Sequence, residues 1–126
     1  MVIAGIVAVV LLASIALFQA ALALGAPWGE AAWGGQNPGV LPRNLRIASG
    51  IGAIVIYPLV IVLVLAGAGL ISDDWLPVDT TMVMWVLAAL LMVGAVMNLI
   101  SRSSRERLWA PVALAVAICC ALIAIG

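Results

Sequence analysis

Four stretches of this chain, at about 2–24, 47–71, 81–100 and 108–125, contain no charged side chain. A soluble chain of 126 residues has too little interior to hide four such surfaces, so their solvent must be lipid. Wound as helices at about 1.5 Å per residue, they approach or exceed the ~30 Å hydrocarbon core of a bilayer. Helix is the form they must take, because lipid offers no partner to a backbone N–H or C=O. The expected fold is all-α: an integral membrane four-helix bundle of two helical hairpins, with residues 1–126 forming one transmembrane domain. The last two stretches are the shortest and are expected to tilt little. Pro58, beside Tyr57 in the second stretch, predicts a kink.

The ten charged residues sit in the connections, and unevenly. Arg43 and Arg46 lie in the first loop, and Arg102, Arg105 and Arg107 in the third. The second loop carries Asp73, Asp74 and Asp79 and no base. Arginine-rich loops stay in the cytoplasm, so the expected orientation is N-out and C-out. Trp28, Trp33 and Trp109 then fall at the inner interface, with Trp75 and Trp85 at the outer one. The N-terminal run lacks a basic leading segment and reads as a span in preference to a cleavable signal.

Composition removes several classes of chemistry. The chain has no Lys and no His. His-ligated metal or haem is therefore excluded, as is the commonest general base. Cys119 and Cys120 are neighbours inside an apolar run, a poor geometry for a disulfide and a poor setting for a metal, and read as small packing residues. Zero net charge and the lack of a basic run argue against nucleic acid. No nucleophile stands beside a base, no carboxylates pair within the apolar runs, and no phosphate-binding glycine motif occurs. No metal, cofactor or catalytic residue is expected, and the protein is read as no enzyme.

Helix punctuation is ordinary. Asp79, Thr80 and Thr81 can cap the third helix. Ser103 to Glu106 reads S-x-x-E, a capping box, which makes a cap the plain reading of Glu106. Ala113, Ala117 and Ala121 form a small-residue stripe, as do Ser49 and Ala53 beside Gly50 and Gly52. Such stripes admit close helix approach, here expected within the bundle in preference to a dimer face.

The first loop is the unusual part. From 25 to 46 it reads GAPWGEAAWGGQNPGVLPRNLR. That is long for a membrane hairpin and rich in Gly, Pro and Trp. It is expected to fold back as a flap over the inner end of the bundle. Polar residues gather at the same end: Gln19 roughly 8 Å inside the membrane by helix rise, Ser49 after the loop, and Asn98 near Ser101 and Arg102. A polar side chain in lipid needs a partner. Gln19 and Asn98 are expected to bond to each other or to the loop backbone. The sharper expectation is a small cavity facing the cytoplasm, walled by Gln19, Asn98, Glu30 and the arginines, which would hold a phosphate or carboxylate head group. Against it stands a plain interfacial anchor whose arginines pair with Glu30, Glu106 and bulk lipid phosphates. The candidate ligand-binding residues are Gln19, Trp28, Glu30, Trp33, Arg43, Arg46, Asn98 and Arg102.

The segments GAPWGEAAWGG with LPRNLRIASG, and MNLISRSSRERLWAPV, resemble a group of uncharacterised small bacterial four-span membrane proteins. The resemblance runs from Gly25 to Val112. It is carried by PWG at Pro27 to Gly29, the Gly34–Gly35 pair and the ER-x-W spacing from Glu106 to Trp109. It implies the four-span architecture and a multi-pass place in a bacterial inner (plasma) membrane, and singles out the loop, but implies no activity. Small multidrug transporters, with an acid in the first span, fit poorly, since that span has none here. Fluoride channels also fit poorly, since Thr80–Thr81 is followed by Met82–Val83.

The functional expectation is a non-enzymatic membrane binding or accessory protein. Its polar cytoplasm-facing site under the first loop would take a lipid head group, a small amphiphile or a membrane-protein partner. The alternative is a small homo-oligomeric transporter or channel, and a membrane-embedded enzyme comes third. A transporter wants polar residues through the depth of its pathway, and this chain has them at one end only.

Overall fold

The computed structural model describes residues 2–126. Four helices are long and apolar enough to cross a membrane: α1 (Val2–Ala23), α2 (Arg43–Gly67), α3 (Thr80–Leu99) and α4 (Ser104–Ile125). No strand occurs among the described residues. The protein is an all-helical, multi-pass membrane bundle. The first and third loops meet at one end, which carries all the arginines. The start of α1 at Val2, the C-terminal end of α4 and the aspartate loop lie at the other.

Three helix boundaries differ from those read off hydropathy. α2 begins at Arg43, four residues before the apolar run, with Pro42 as its N-cap and the Arg46 N–H on the Pro42 carbonyl at 3.0 Å. It ends at Gly67, short of 71. Gly69 at φ +76° turns the chain left-handed there, and the Leu70 N–H closes back on the Leu65 carbonyl at 2.9 Å. That bond satisfies an otherwise orphaned carbonyl. α4 starts at Ser104, so at 22 residues it matches α1 in length and is longer than the 108–125 stretch expected. Charged residues are good helix formers. The apolar run marks where a helix enters lipid, not where it starts.

Pro58 acts one turn upstream of itself. Gly52–Ile56 winds as a π turn, with the Tyr57 N–H reaching the Gly52 carbonyl five residues back. Pro58 has no N–H to give the preceding turn and its ring needs room there. A widened turn supplies that room without breaking the helix.

The helices form a ring. α4 packs on α3 and α1, α1 packs on α2, and the Tyr57–Gly67 half of α2 closes onto α3. The Arg43–Ile56 half of α2 packs on α1 and leaves α3, so the ring is open on that side at the arginine-bearing end. The other half is sealed. Ala8, Leu12, Val64, Met84, Val116 and Cys120 are at most 1% exposed in one continuous cluster. Gly5 makes the α1–α2 approach possible there, since a Cβ on it would stand 2.6 Å from the Ala68 Cβ. Ala113 and Ala117 are buried against the neighbouring helices, the close packing expected of that stripe. Cys119 and Cys120 are free thiols, both buried among the core residues. The outward faces of all four helices are apolar, as lipid requires.

Candidate functional site

The first loop does fold back over the bundle, and three side-chain hydrogen bonds hold it. It is built as two short 3-10 turns, Gly29–Ala31 and Trp33–Gly35. The Gly29 N–H bonds the Gly39 carbonyl at 2.8 Å, closing the loop on itself. Only glycine fits at 29, because a Cβ there would overlap the Asn37 carbonyl oxygen. The Trp33 indole Nε1 then donates to the buried Ser49 hydroxyl on α2 at 2.9 Å. Gly34 N–H donates to the Glu106 carboxylate on α4 at 2.8 Å, and the Ser103 hydroxyl donates to the Glu30 carbonyl. Trp33 itself sits at φ +52°, a left-handed conformation that a bulky residue adopts only when its surroundings fix it. Leu22, Ala32 and Leu41 form a small separate core beneath the loop.

Glu106 departs from its local motif. The Ser103 hydroxyl does accept the Glu106 N–H, at 3.3 Å, which is the first half of a capping box. The second half is missing: the Ser103 N–H goes to the Ser101 hydroxyl at 3.2 Å. The carboxylate is thereby released to reach across to loop one. At 6% exposure it is the most buried acidic or basic side chain among the described residues.

Under this roof lies a cavity of about 430 Å³, within the range of roughly 300–1,000 Å³ usual for small-ligand sites. α1 contributes Ile15, Phe18 and Gln19, and the roof contributes Ala31 to Trp33. α2 contributes only Tyr57. α3 supplies Leu90 to Asn98 through one face, and α4 supplies Glu106, Trp109 and Ala113. Leu90 and Met97 line the cavity yet are each 63% exposed, so its mouth opens sideways where α2 leaves α3. The Gln19 Oε1 is buried and has no hydrogen-bond partner among the described residues. A buried acceptor left open in this way costs about 1–3 kcal/mol unless something fills it.

The structure brings together three of the eight expected residues: Gln19, Trp33 and Asn98 line one cavity. Gln19 and Asn98 are expected to bond each other or the loop backbone, and among the described residues Gln19 Oε1 has no partner of either kind. Trp28 is elsewhere, stacked on the far side of Phe18 with centroids 6.3 Å apart and planes at 4°. Phe18 and Trp109, 4.7 Å apart, form the wall between them. Glu30 is exposed and its partner is Arg105 at 3.7 Å, not Arg43, Arg46 or Arg102. Arg43 and Arg46 flank a shallow hollow against Ala23 and Ile47, away from the cavity. The Arg46 Nε caps α1 by donating to the Ala23 carbonyl at 3.1 Å. Arg102 is exposed and makes no ion pair among the described residues. The arginines therefore do not wall the cavity. All five share an end of the bundle without sharing its interior face.

Sequence reasoning missed Phe18, Tyr57, Glu106 and Trp109 as lining residues, and Ser49 as the anchor of the roof. The S-x-x-E motif accounts for Glu106 locally and so conceals its wider role. Its distance from loop one in sequence gives no hint that the two meet. No group of three or more metal-ligating side chains occurs among the described residues. Compared with protein-family models, curated proteins and solved structures, the chain matches none.

Proposed function

We propose that the protein is a non-enzymatic membrane binding module, oriented N-out and C-out in a bacterial inner membrane, that holds an amphiphile in the cavity under its first loop. The observation that carries this reading is the roofed cavity itself, with an unpartnered buried acceptor, Gln19 Oε1, and a mouth bordering lipid. Few polar groups converge in a mainly apolar space, which suits a molecule with a small polar head and an apolar body. The sealed core around Leu12, Val64, Met84 and Val116 argues against a conduction path through a single copy of the bundle. The five-to-none arginine bias favours the cytoplasmic face for the cavity.

Gly94 provides the test. It lines the cavity, and a Cβ on it meets nothing within 4 Å. Gly94→Leu fills the space from a helical position where leucine is the better helix former. Native mass spectrometry from mild detergent should show a bound amphiphile on the wild type and its loss from Gly94→Leu, with equal thermal stability. Retention of the same adduct by the filled variant would overturn the reading.

A further inference from the structure

We infer that the cavity takes an organic ammonium ion carried on an apolar body. This rests on the cavity being an amphiphile site and adds the sign of the head group. Four aromatic side chains line it, Phe18, Trp33, Tyr57 and Trp109, one from each of three helices and one from the roof. The faces of aromatic rings carry negative potential and attract cations, most strongly when water is excluded. Beside them stands Glu106, the only carboxylate on the cavity wall. No arginine lines the cavity, and the chain has no Lys or His.

The carboxylate lacks a counter-charge. Its hydrogen bond from the Gly34 N–H leaves the negative charge in place. The one ion pair among the described residues joins Glu30 to Arg105, both exposed. Arg107, on the same turn as Glu106, turns away to the Ser101 carbonyl at 2.7 Å. A buried charge without a partner is costly, and a cationic ligand would supply the partner. Gln19 Oε1 adds an open acceptor on the same wall. An anionic head group would meet the Glu106 carboxylate, the one charged side chain of the lining and of its own sign, while the Gln19 and Asn98 amides can serve a head group of either sign. A neutral hydroxyl would satisfy Gln19 and leave Glu106 as it was. An ammonium ion complements the carboxylate and the rings, one that bears an N–H meets Gln19 Oε1 as well, and the lateral mouth beside Leu90 and Met97 lets its apolar body stay in contact with lipid.

The same chemistry could come from an ethanolamine lipid or from a free amphiphilic amine. The full chain in phosphatidylglycerol nanodiscs, titrated by tryptophan fluorescence, separates the cases. Three probes share one tail: octyltrimethylammonium, octyl sulfate and octyl glucoside. Site binding is taken as the part of the signal that Gly94→Leu abolishes. The expected result is that octyltrimethylammonium binds at least about tenfold more tightly than the other two. Glu106→Gln, which keeps an acceptor for Gly34, should remove that preference, and Tyr57→Leu should reduce it by weakening octyltrimethylammonium more than octyl glucoside. Tyr57→Leu keeps the test valid should the Glu106 variant fold poorly. Equal binding of all three probes, each lost in Gly94→Leu, would overturn the ammonium assignment and leave the amphiphile site standing. No site binding by any probe would overturn both. Phosphatidylethanolamine added to the nanodisc should compete if the lipid is the source. If it does not compete while octyltrimethylammonium binds, a free amphiphilic amine is the ligand.

Discussion

Gly35→Ala should undock the first loop without unfolding the bundle. Gly35 has φ +73°, and an alanine forced into that region costs about 1 kcal/mol. The steric cost is larger. The added Cβ would overlap the Ser103 Cβ and stand 3.2 Å from the Glu30 carbonyl oxygen. Both neighbours belong to the junction that ties the loop to α4. Moving apart there sacrifices the Ser103–Glu30 bond, about 1 kcal/mol, and the Gly34 bond to the Glu106 carboxylate, about 1.5–3 kcal/mol as a bond to a charged group. Docking is therefore expected to weaken by about 4 kcal/mol in all. Gly39→Ala is the control. It has φ +80° but nothing within 4 Å of its Cβ, so only the conformational cost of about 1 kcal/mol applies. Amide hydrogen exchange of the 29–36 peptide in detergent reads the difference. Protection should fall by about two powers of ten more in Gly35→Ala than in Gly39→Ala. Exchange in the α3 and α4 peptides should stay as in the wild type. Equal loss in the two variants would mean that the loop is not held against α4 at this junction, and the roof would be refuted.

Other consequences are simpler to read. Ala117→Leu, at a site 2% exposed, should cost about 1–3 kcal/mol by overpacking, while Ala89→Leu on the exposed face of α3 should be near neutral in thermal melts. Cys119 and Cys120 are buried and free, so maleimide should label neither in mild detergent and both after unfolding in denaturant. For orientation, single cysteines at Ser72 and Ser104 in a background without Cys119 and Cys120 should react differently in intact cells. An impermeant thiol reagent should label position 72 and spare 104; the opposite pattern inverts the topology.

What the sequence made legible was depth, and what it hid was direction. Hydropathy located the four spans because an apolar run in lipid has one structural solution. Helix rise for Gln19 and closeness to Ser101 and Arg102 for Asn98 placed both near the arginine-bearing end, and both do line the cavity there. Neither rise nor hydropathy fixes the direction in which a helix faces. Arg43 and Arg46 begin α2, whose first half leans on α1 and away from α3, so their charges fall outside the cavity. Trp109 reads as an interfacial ring, and Phe18 carries no signal in the sequence, until α1 and α4 are brought together. Glu106 was the deepest omission. A local motif explains it fully, yet its carboxylate is used by Gly34, 72 residues away in sequence. Loop docking of that kind is set by tertiary contact and leaves no periodic signal.

The central claim is that an amphiphile sits beneath the loop, among α1, α3 and α4. Photo-crosslinking with a diazirine-tailed alkyltrimethylammonium, followed by peptide mapping, tests it most directly. Labelling should concentrate on residues lining the cavity, such as Ile15, Leu91, Met97 and Ala113, and disappear in Gly94→Leu. Labelling spread over outward-facing residues such as Ile54, Val55 and Leu59, and unchanged by Gly94→Leu, would show that the probe meets only the lipid-facing surface and would contradict the account.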